Sequence, residues 1–238
     1  MDNIHIIGTS HIAKQSELDI KNAFLSIQPD FIAIELDKNR LQSLLSPQKK
    51  STPSIGLIRQ VGLVGFFFVV IGGYAQKKLG KLVGVTPGAD MLYAVNLAKN
   101  NKLSLALVDR PIHQTLRRLS KAFTFKEKMR FVGDVLKAPF QLLFAKFFKK
   151  SSKNVKKGNF NLNSIPEKEV IVYLMDLLKK RYPSLYKVLI DERNHYMVRR
   201  LVILAKNNPD KQILSVVGAG HKEGMLELIP IYEKRIDV

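Results

Sequence analysis

The chain has 238 residues, 46% of them apolar, and a formal charge of +19 from 39 Lys and Arg against 20 Asp and Glu. That length suits one large domain or one domain with an insertion, and that apolar content supplies a core, so a chain disordered throughout is excluded. Cysteine is absent, which excludes disulfides and thiolate metal sites and leaves His, Asp and Glu to hold any metal.

Residues 4–7 are apolar and β-branched except at His5, and they read as a buried strand that Gly8 ends. His5 is expected to point to the side opposite Ile4 and Ile6. The start, MDNIHIIG, carries an early Asp and no positive region, so it does not resemble a secretion signal. Ser16 suits the N-cap of a helix running to Ile27, which Pro29-Asp30 breaks. Phe31–Ile34 is a second strand, with Glu35 and Asp37 at its end, and a short helix through Arg40 and Leu44 follows. Strand, helix and strand at this spacing predict parallel neighbours joined by a right-handed crossover.

The pattern changes over 46–86, where the apolar run VGLVGFFFVVIGGYA falls short of the roughly 20 residues of a membrane span. It reads as an inserted helix, buried or lying on a surface. Asp90–Lys99 is a helix, and Leu103–Val108 is a third strand ending in Asp109-Arg110-Pro111. Helical and basic sequence fills 111–210, with helices over Glu167–Lys180 and Ser184–Lys206. Within it, Arg117 to Lys157 carries 13 cations against Glu127 and Asp134. Gln212–Val217 is the fourth strand. The fold class is therefore α/β, a mainly parallel central sheet of at least four short strands with flanking helices and a large helical, basic insertion.

In a parallel sheet, ligands bind at the carboxyl ends of the strands. This chain places Gly8, Thr9, Ser10 and His11 at the first end, Glu35 and Asp37 at the second, Asp109 and Arg110 at the third, and Gly218, Gly220 and His221 at the fourth. Gly-x-x-His thus occurs twice, each time directly after a strand. Small residues let a ligand approach backbone N–H groups, and two imidazoles with a carboxylate and an open position suit a catalytic divalent metal. The alternative is that each His is a hydrogen-bonded loop residue. His113 follows Pro111 as a candidate cap of the next helix. Glu192, His195 and Arg199 share a helix face as an ordinary i, i+3 and i+4 set.

The charge attracts anions, so nucleic acid, an anionic membrane surface and acidic substrates are the partner classes. No zinc-finger spacing, RNP-like sequence or helix-turn-helix signal is present, and no specific nucleic acid is expected. A basic amphipathic helix on an anionic membrane fits the Phe-interleaved block, and a solvated charged face stays open beside it. A second copy of the chain stays open as a partner. The absence of cysteine fits a reducing, cytoplasmic setting, with or without peripheral attachment to a membrane.

Six stretches resemble the motifs of the TraB/PrgY (pheromone-shutdown) family: GTSH at 8–11, PDFIAIELDKNR at 29–40, TPGADM at 86–91, VDRPIHQTLRR at 108–118, DERNHYM at 191–197 and VVGAGHKEG at 216–224. They come in order and cover nearly the whole chain. The family is similar to Tiki-type metalloproteases and to the ChaN and erythromycin-esterase-like folds. The resemblance implies a metal-dependent, peptidase-like hydrolase in which His11, Glu35 and His221 hold a Mn, Co or Zn ion. Glu35, Asp109, Arg110, Glu192 and Arg193 are then the catalytic candidates, Asp109 or Glu192 as a further ligand or base and an Arg against developing negative charge. Gly8, Thr9, Ser10, Arg40, Arg117, Gly218 and Gly220 are the candidates for binding a peptide or small acidic substrate, and Asp191 lies in a matched motif. The other reading is a non-enzymatic protein that sequesters a peptide or lies on a membrane. Many relatives carry several transmembrane helices after the Gly-Ala-Gly-His motif. The expectation here is a single domain over 1–238 without them.

Overall fold

The computed structural model describes residues 1–9, 13–46, 88–134 and 167–236, with single positions at 59, 61, 62, 66 and 137. The apolar segment expected over 46–86 and the basic block from 138 to 157 fall almost wholly outside these residues. Among the described residues no helix is long and apolar enough to cross a membrane.

Four strands form one sheet, β1 (Ile4–Thr9), β2 (Phe31–Ile34), β3 (Ser104–Leu107) and β4 (Ile213–Gly218). All are parallel, in the order β1-β4-β2-β3. This corrects the expectation that β1 and β2 are neighbours. β4 lies between them, pairing Thr9 with Gly218 on one side and Ile34 with Val216 on the other. The reason lies in burial: β4 has five consecutive buried residues, whereas β1 and β3 carry half-buried or exposed positions. A continuous apolar run belongs in the middle of a parallel sheet, covered on both faces.

The helices are α1 (Ala13–Ile27), α2 (Lys38–Leu45), α3 (Ala89–Asn100), α4 (Ile112–Ala122), α5 (Glu167–Arg181), α6 (Pro183–Tyr186), α7 (Glu192–Lys206) and α8 (Ala219–Arg235). Residues 125–134 are also helical. Alternate β-strand residues face opposite sides. Ile213 and Val217 pack on Met197, Leu201 and Met225 of α7 and α8, while Leu214 and Val216 pack on Ile20 of α1 and Ala94 of α3. Each such buried Val, Leu, Ile or Met side chain contributes about 2 kcal/mol.

Three local expectations change. α1 starts at Ala13, so Ser16 is no cap and lies buried inside the helix. Pro111 takes the N-cap of α4 without a side-chain hydrogen bond, and His113 is an exposed residue of its first turn. The helix expected over Ser184–Lys206 is interrupted by a π turn at Lys187–Asp191.

Candidate functional site

The sheet is parallel, so all four strand ends share one edge. β2 delivers Glu35 there, β3 delivers Asp109, and β4 runs into α8, whose first turn carries His221. Across from them α7 supplies Glu192, Arg193 and Asn194 in its first turn.

Glu35 is held from two sides. The Gly218 backbone N–H donates to its Oε2 at 2.6 Å, and Arg193 Nη2 donates to its Oε1. A Cβ on Gly218 would stand 3.2 Å from Oε2, so glycine here admits the carboxylate to the backbone. His221 is buried, and its Nδ1 lies 2.6 Å from Asn194 Oδ1. An amide oxygen only accepts, so Nδ1 carries the proton and Nε2 carries the lone pair. That lone pair faces Arg193 Nη1 at 3.1 Å and Glu35 Oε1 at 3.4 Å. Burial holds the imidazole below its ordinary pKa, Glu35 opposes that, and Arg193 adds to it, so His221 is neutral near pH 7.

Arg193 is the hub. Its five N–H groups go to Asp109 Oδ1 (3.1 Å), Asp109 Oδ2 (2.6 Å), Leu189 O (3.0 Å), His221 Nε2 (3.1 Å) and Glu35 Oε1. A guanidinium has five such donors, so none is spare. Burial alone would weaken its hold on the proton, but Glu35 and Asp109 raise its pKa above the ordinary value. Asp109 is sealed from solvent and also accepts from Arg40 Nη2 and from the Arg110 backbone N–H at 2.7 Å. Burial would push its carboxyl up, yet the hydrogen bonds and charges of Arg193 and Arg40 outweigh burial and hold it below the usual range. A carboxylate bound by two guanidiniums is a counter-ion and a weak base.

The outer residues have structural partners. Asp37 caps α2 through the N–H groups of Asn39 (2.9 Å) and Arg40 (3.2 Å), and its other oxygen accepts from Arg40 Nε at 2.8 Å. Glu192 turns away from His195 and Arg199 and bridges Arg110 (3.3 Å) and Arg118 (2.9 Å). His195 instead meets the Tyr232 hydroxyl at 3.0 Å, with Asp191 Oδ1 3.8 Å from its Nε2. Thr9 is buried and donates to Asp90 Oδ2 at 2.5 Å, so its hydroxyl is taken. Arg117 is exposed on α4 and joins none of these bonds. Ser10 and His11 lie outside the described residues.

The remaining glycines allow close packing. A Cβ on Gly8 would stand 3.0 Å from Ala219 Cα, and one on Gly220 would stand 3.2 Å from Met175 Sδ. Both line a cleft of about 460 Å³ together with Met175, Lys179, Asn194 and Lys222. Asn194 joins this cleft to His221, and it is the site residue that sequence reasoning missed. Its signal was its place in DERNHYM beside Arg193. Gly224 completes the arrangement, since a Cβ there would lie 2.5 Å from Asn194 Nδ2.

Among the described residues no three His, Asp or Glu side chains form a metal-binding group. Two of the three expected ligands do converge. Two donors about 2.1 Å from a tetrahedral ion stand about 3.4 Å apart, and Glu35 Oε1 and His221 Nε2 are 3.4 Å apart. The tautomer held by Asn194 leaves Nε2 as the donor, which is the outer-shell support that a metal-binding imidazole needs. This donor pair therefore fits a divalent ion, although Arg193 now bonds to both atoms.

A family model described as TraB/PrgY/gumN matches residues 2–235. An uncharacterised protein of Methanocaldococcus jannaschii is 33% identical over 239 residues, which is 99% of this chain and 55% of that protein. TraB domain-containing proteins of Mus musculus and Homo sapiens are each 22% identical over 245 residues, which is 93% of this chain and 61% of theirs. The chain thus spans little more than half the length of these relatives.

Proposed function

The chain belongs to the TraB/PrgY/gumN family, and from that premise we propose that its carboxyl edge is a metal-dependent hydrolase site acting on a peptide or small acidic substrate. The observation that carries the reading is the approach of Glu35 Oε1 to within 3.4 Å of the His221 lone pair at neighbouring strand ends. A Mn, Co or Zn ion held by His11, Glu35 and His221 would polarise a carbonyl and make water a stronger nucleophile. Asn194 keeps His221 in the tautomer that donates from Nε2. Asp109 holds Arg193 and Arg40 beside the site instead of touching substrate, because both its oxygens are engaged. Arg40 engages Asp37 through Nε and Asp109 through Nη2, which leaves Nη1 to meet an anionic group of the substrate. The cleft beside Asn194 accommodates the rest of the substrate.

The test is metal content by mass spectrometry of the wild type, His11→Ala and His221→Ala, followed by mass-spectrometric analysis of incubated peptide mixtures. Stoichiometric metal lost in both variants, with cleavage lost alongside it, supports the reading. Equal metal in all three proteins sinks it.

A second reading has its own observation. Phe125, Met129 and Val132 form an exposed apolar stripe at helical spacing, among Lys121, Lys126 and Lys128. That pattern favours a protein that lies on an anionic surface. Sedimentation with phosphatidylserine vesicles that is lost on Lys126→Glu/Lys128→Glu substitution supports it.

A further inference from the structure

Arg193 stands where the proposed metal would need to bind. His221 has one lone pair to offer, because Nδ1 is committed to Asn194 at 2.6 Å, and Arg193 Nη1 occupies that lone pair at 3.1 Å. Arg193 Nη2 bonds Glu35 Oε1, the same oxygen that lies 3.4 Å from His221 Nε2. A guanidinium and a divalent ion cannot share these two atoms, and their like charges repel at such range. The charge count agrees. Glu35, Asp37 and Asp109 face Arg40 and Arg193, so three carboxylates meet two guanidiniums. The cluster tolerates one more positive charge, and it would bind a cation more strongly if Arg193 were gone.

We infer that Arg193 is a resident cation that competes with a divalent metal for Glu35 and His221. The inference rests on the metal-dependent reading of this site and adds its control. The anchoring of Arg193 makes the competition feasible. Nε and one Nη2 hydrogen grip the two oxygens of Asp109 at 3.1 and 2.6 Å, and Nη1 reaches Leu189 O at 3.0 Å in the π turn. The guanidinium is planar and rigid, so opening its contacts to His221 and Glu35 turns it as a unit and gives up the Leu189 O bond as well, while Asp109 keeps its hold. Metal loading therefore costs three hydrogen bonds and leaves the side chain tethered to Asp109. π turns inserted in α-helices accompany functional sites, and this one lies directly before Arg193. Arg193 thus sets the threshold of free metal at which the site fills.

The experiment is calorimetric titration of the full chain with zinc chloride, in the wild type, Arg193→Gln and Arg193→Lys. Circular dichroism melting establishes that each protein is folded. Arg193→Gln is expected to bind zinc at least tenfold more tightly than the wild type, with Arg193→Lys between them. A second readout needs no variant. The Arg193 Nε–H resonance and the His221 ring signals of the wild type are followed by NMR during zinc titration. Loss of the Arg193–His221 contact at saturation is expected. Wild-type binding with equal or weaker affinity in Arg193→Gln overturns the competition and leaves the metal-dependent reading standing. Binding by Arg193→Gln alone supports the competition and removes the metal from the wild-type mechanism. No binding by any of the three proteins overturns both. If Arg193→Gln does not fold, a contact that survives zinc saturation of the wild type overturns the inference.

Discussion

Replacing Gly224 by Ala tests the Asn194–His221 contact through a sign reversal. Gly224 lies inside α8, and Gly→Ala in a helix interior ordinarily stabilises by about 1 kcal/mol. Here the new Cβ would stand 2.5 Å from Asn194 Nδ2, closer than any real contact of that kind. Asn194 is buried, and its Oδ1 is held 2.6 Å from His221 Nδ1, so it has little room to retreat. Crowding a packed interior costs about 1–3 kcal/mol, and leaving the buried imidazole N–H without its acceptor costs a further ~1–3 kcal/mol. Against the helical gain, Gly224→Ala should be destabilised by about 1–5 kcal/mol. Gly133 is the control, since it is helical and a Cβ there meets nothing within 4 Å. Gly133→Ala should gain about 0.5–1 kcal/mol. Urea unfolding of both variants beside the wild type, with matched slopes, gives the two differences. The His221 tautomer is read by long-range nitrogen–proton NMR in Gly224→Ala. If Gly224→Ala is stabilised like Gly133→Ala and the tautomer is unchanged, the packing argument for Asn194 fails.

Three further outcomes follow from the same geometry. Ser215 is wholly buried in β4 and its hydroxyl has no hydrogen-bond partner among the described residues, so Ser215→Ala should be neutral or stabilising by up to about 1 kcal/mol, where loss of a hidden hydrogen bond would show as a lower urea midpoint. Asp109→Asn leaves Arg193 and Arg40 without their shared counter-ion and should destabilise by about 3 kcal/mol; a melting temperature equal to the wild type would refute its central place. His221 has a folded-state pKa below its ordinary value of 6.5, so its contribution to stability is present above that pH and is lost as pH falls through the folded value. The gap in urea midpoint between pH 7.5 and pH 5.5 should therefore narrow in His221→Gln, and an unchanged gap would assign the acid sensitivity to other groups.

The strands and their polar ends were legible because an apolar run that stops at Gly, Glu or Asp is a local signal. The order of the strands was not. β4 is written after α7 yet enters between β1 and β2, and only its unbroken burial demands that place. Charge pairing was illegible for a related reason. Glu192 has the spacing to pair with His195 along the helix, but Arg110 and Arg118 approach it from β3's end and from α4. A partly buried bridge between elements prevails over an exposed i, i+3 pair, which contributes a few tenths of a kcal/mol.

The placement of Arg193 and Asn194 did leave a trace in the sequence, in the phase of the apolar residues. Leu185 and Val188 are buried on one helical face. A period of 3.6 residues carries that face from Val188 to residue 191 or 192 and then to 195. Yet Asp191 and His195 are nearly half exposed, and the buried face of α7 is Asn194, Met197, Val198 and Leu201. One residue of phase, about 100° around the axis, has been inserted between the two faces. The π turn at Lys187–Asp191 is that insertion. Without it, the phase of the helix would turn Asp191 and His195 toward the buried face. With it, Arg193 turns toward the two carboxylates and Asn194 toward His221. Among the described residues, Arg40 of α2 pairs with Asp37 and Asp109 beside the strand ends and leaves Glu35 without a counter-ion there, since Arg110 is drawn off to Glu192 and to Val188 O. The counter-charge must therefore cross from the helical layer, and the shift in phase is what lets α7 deliver it.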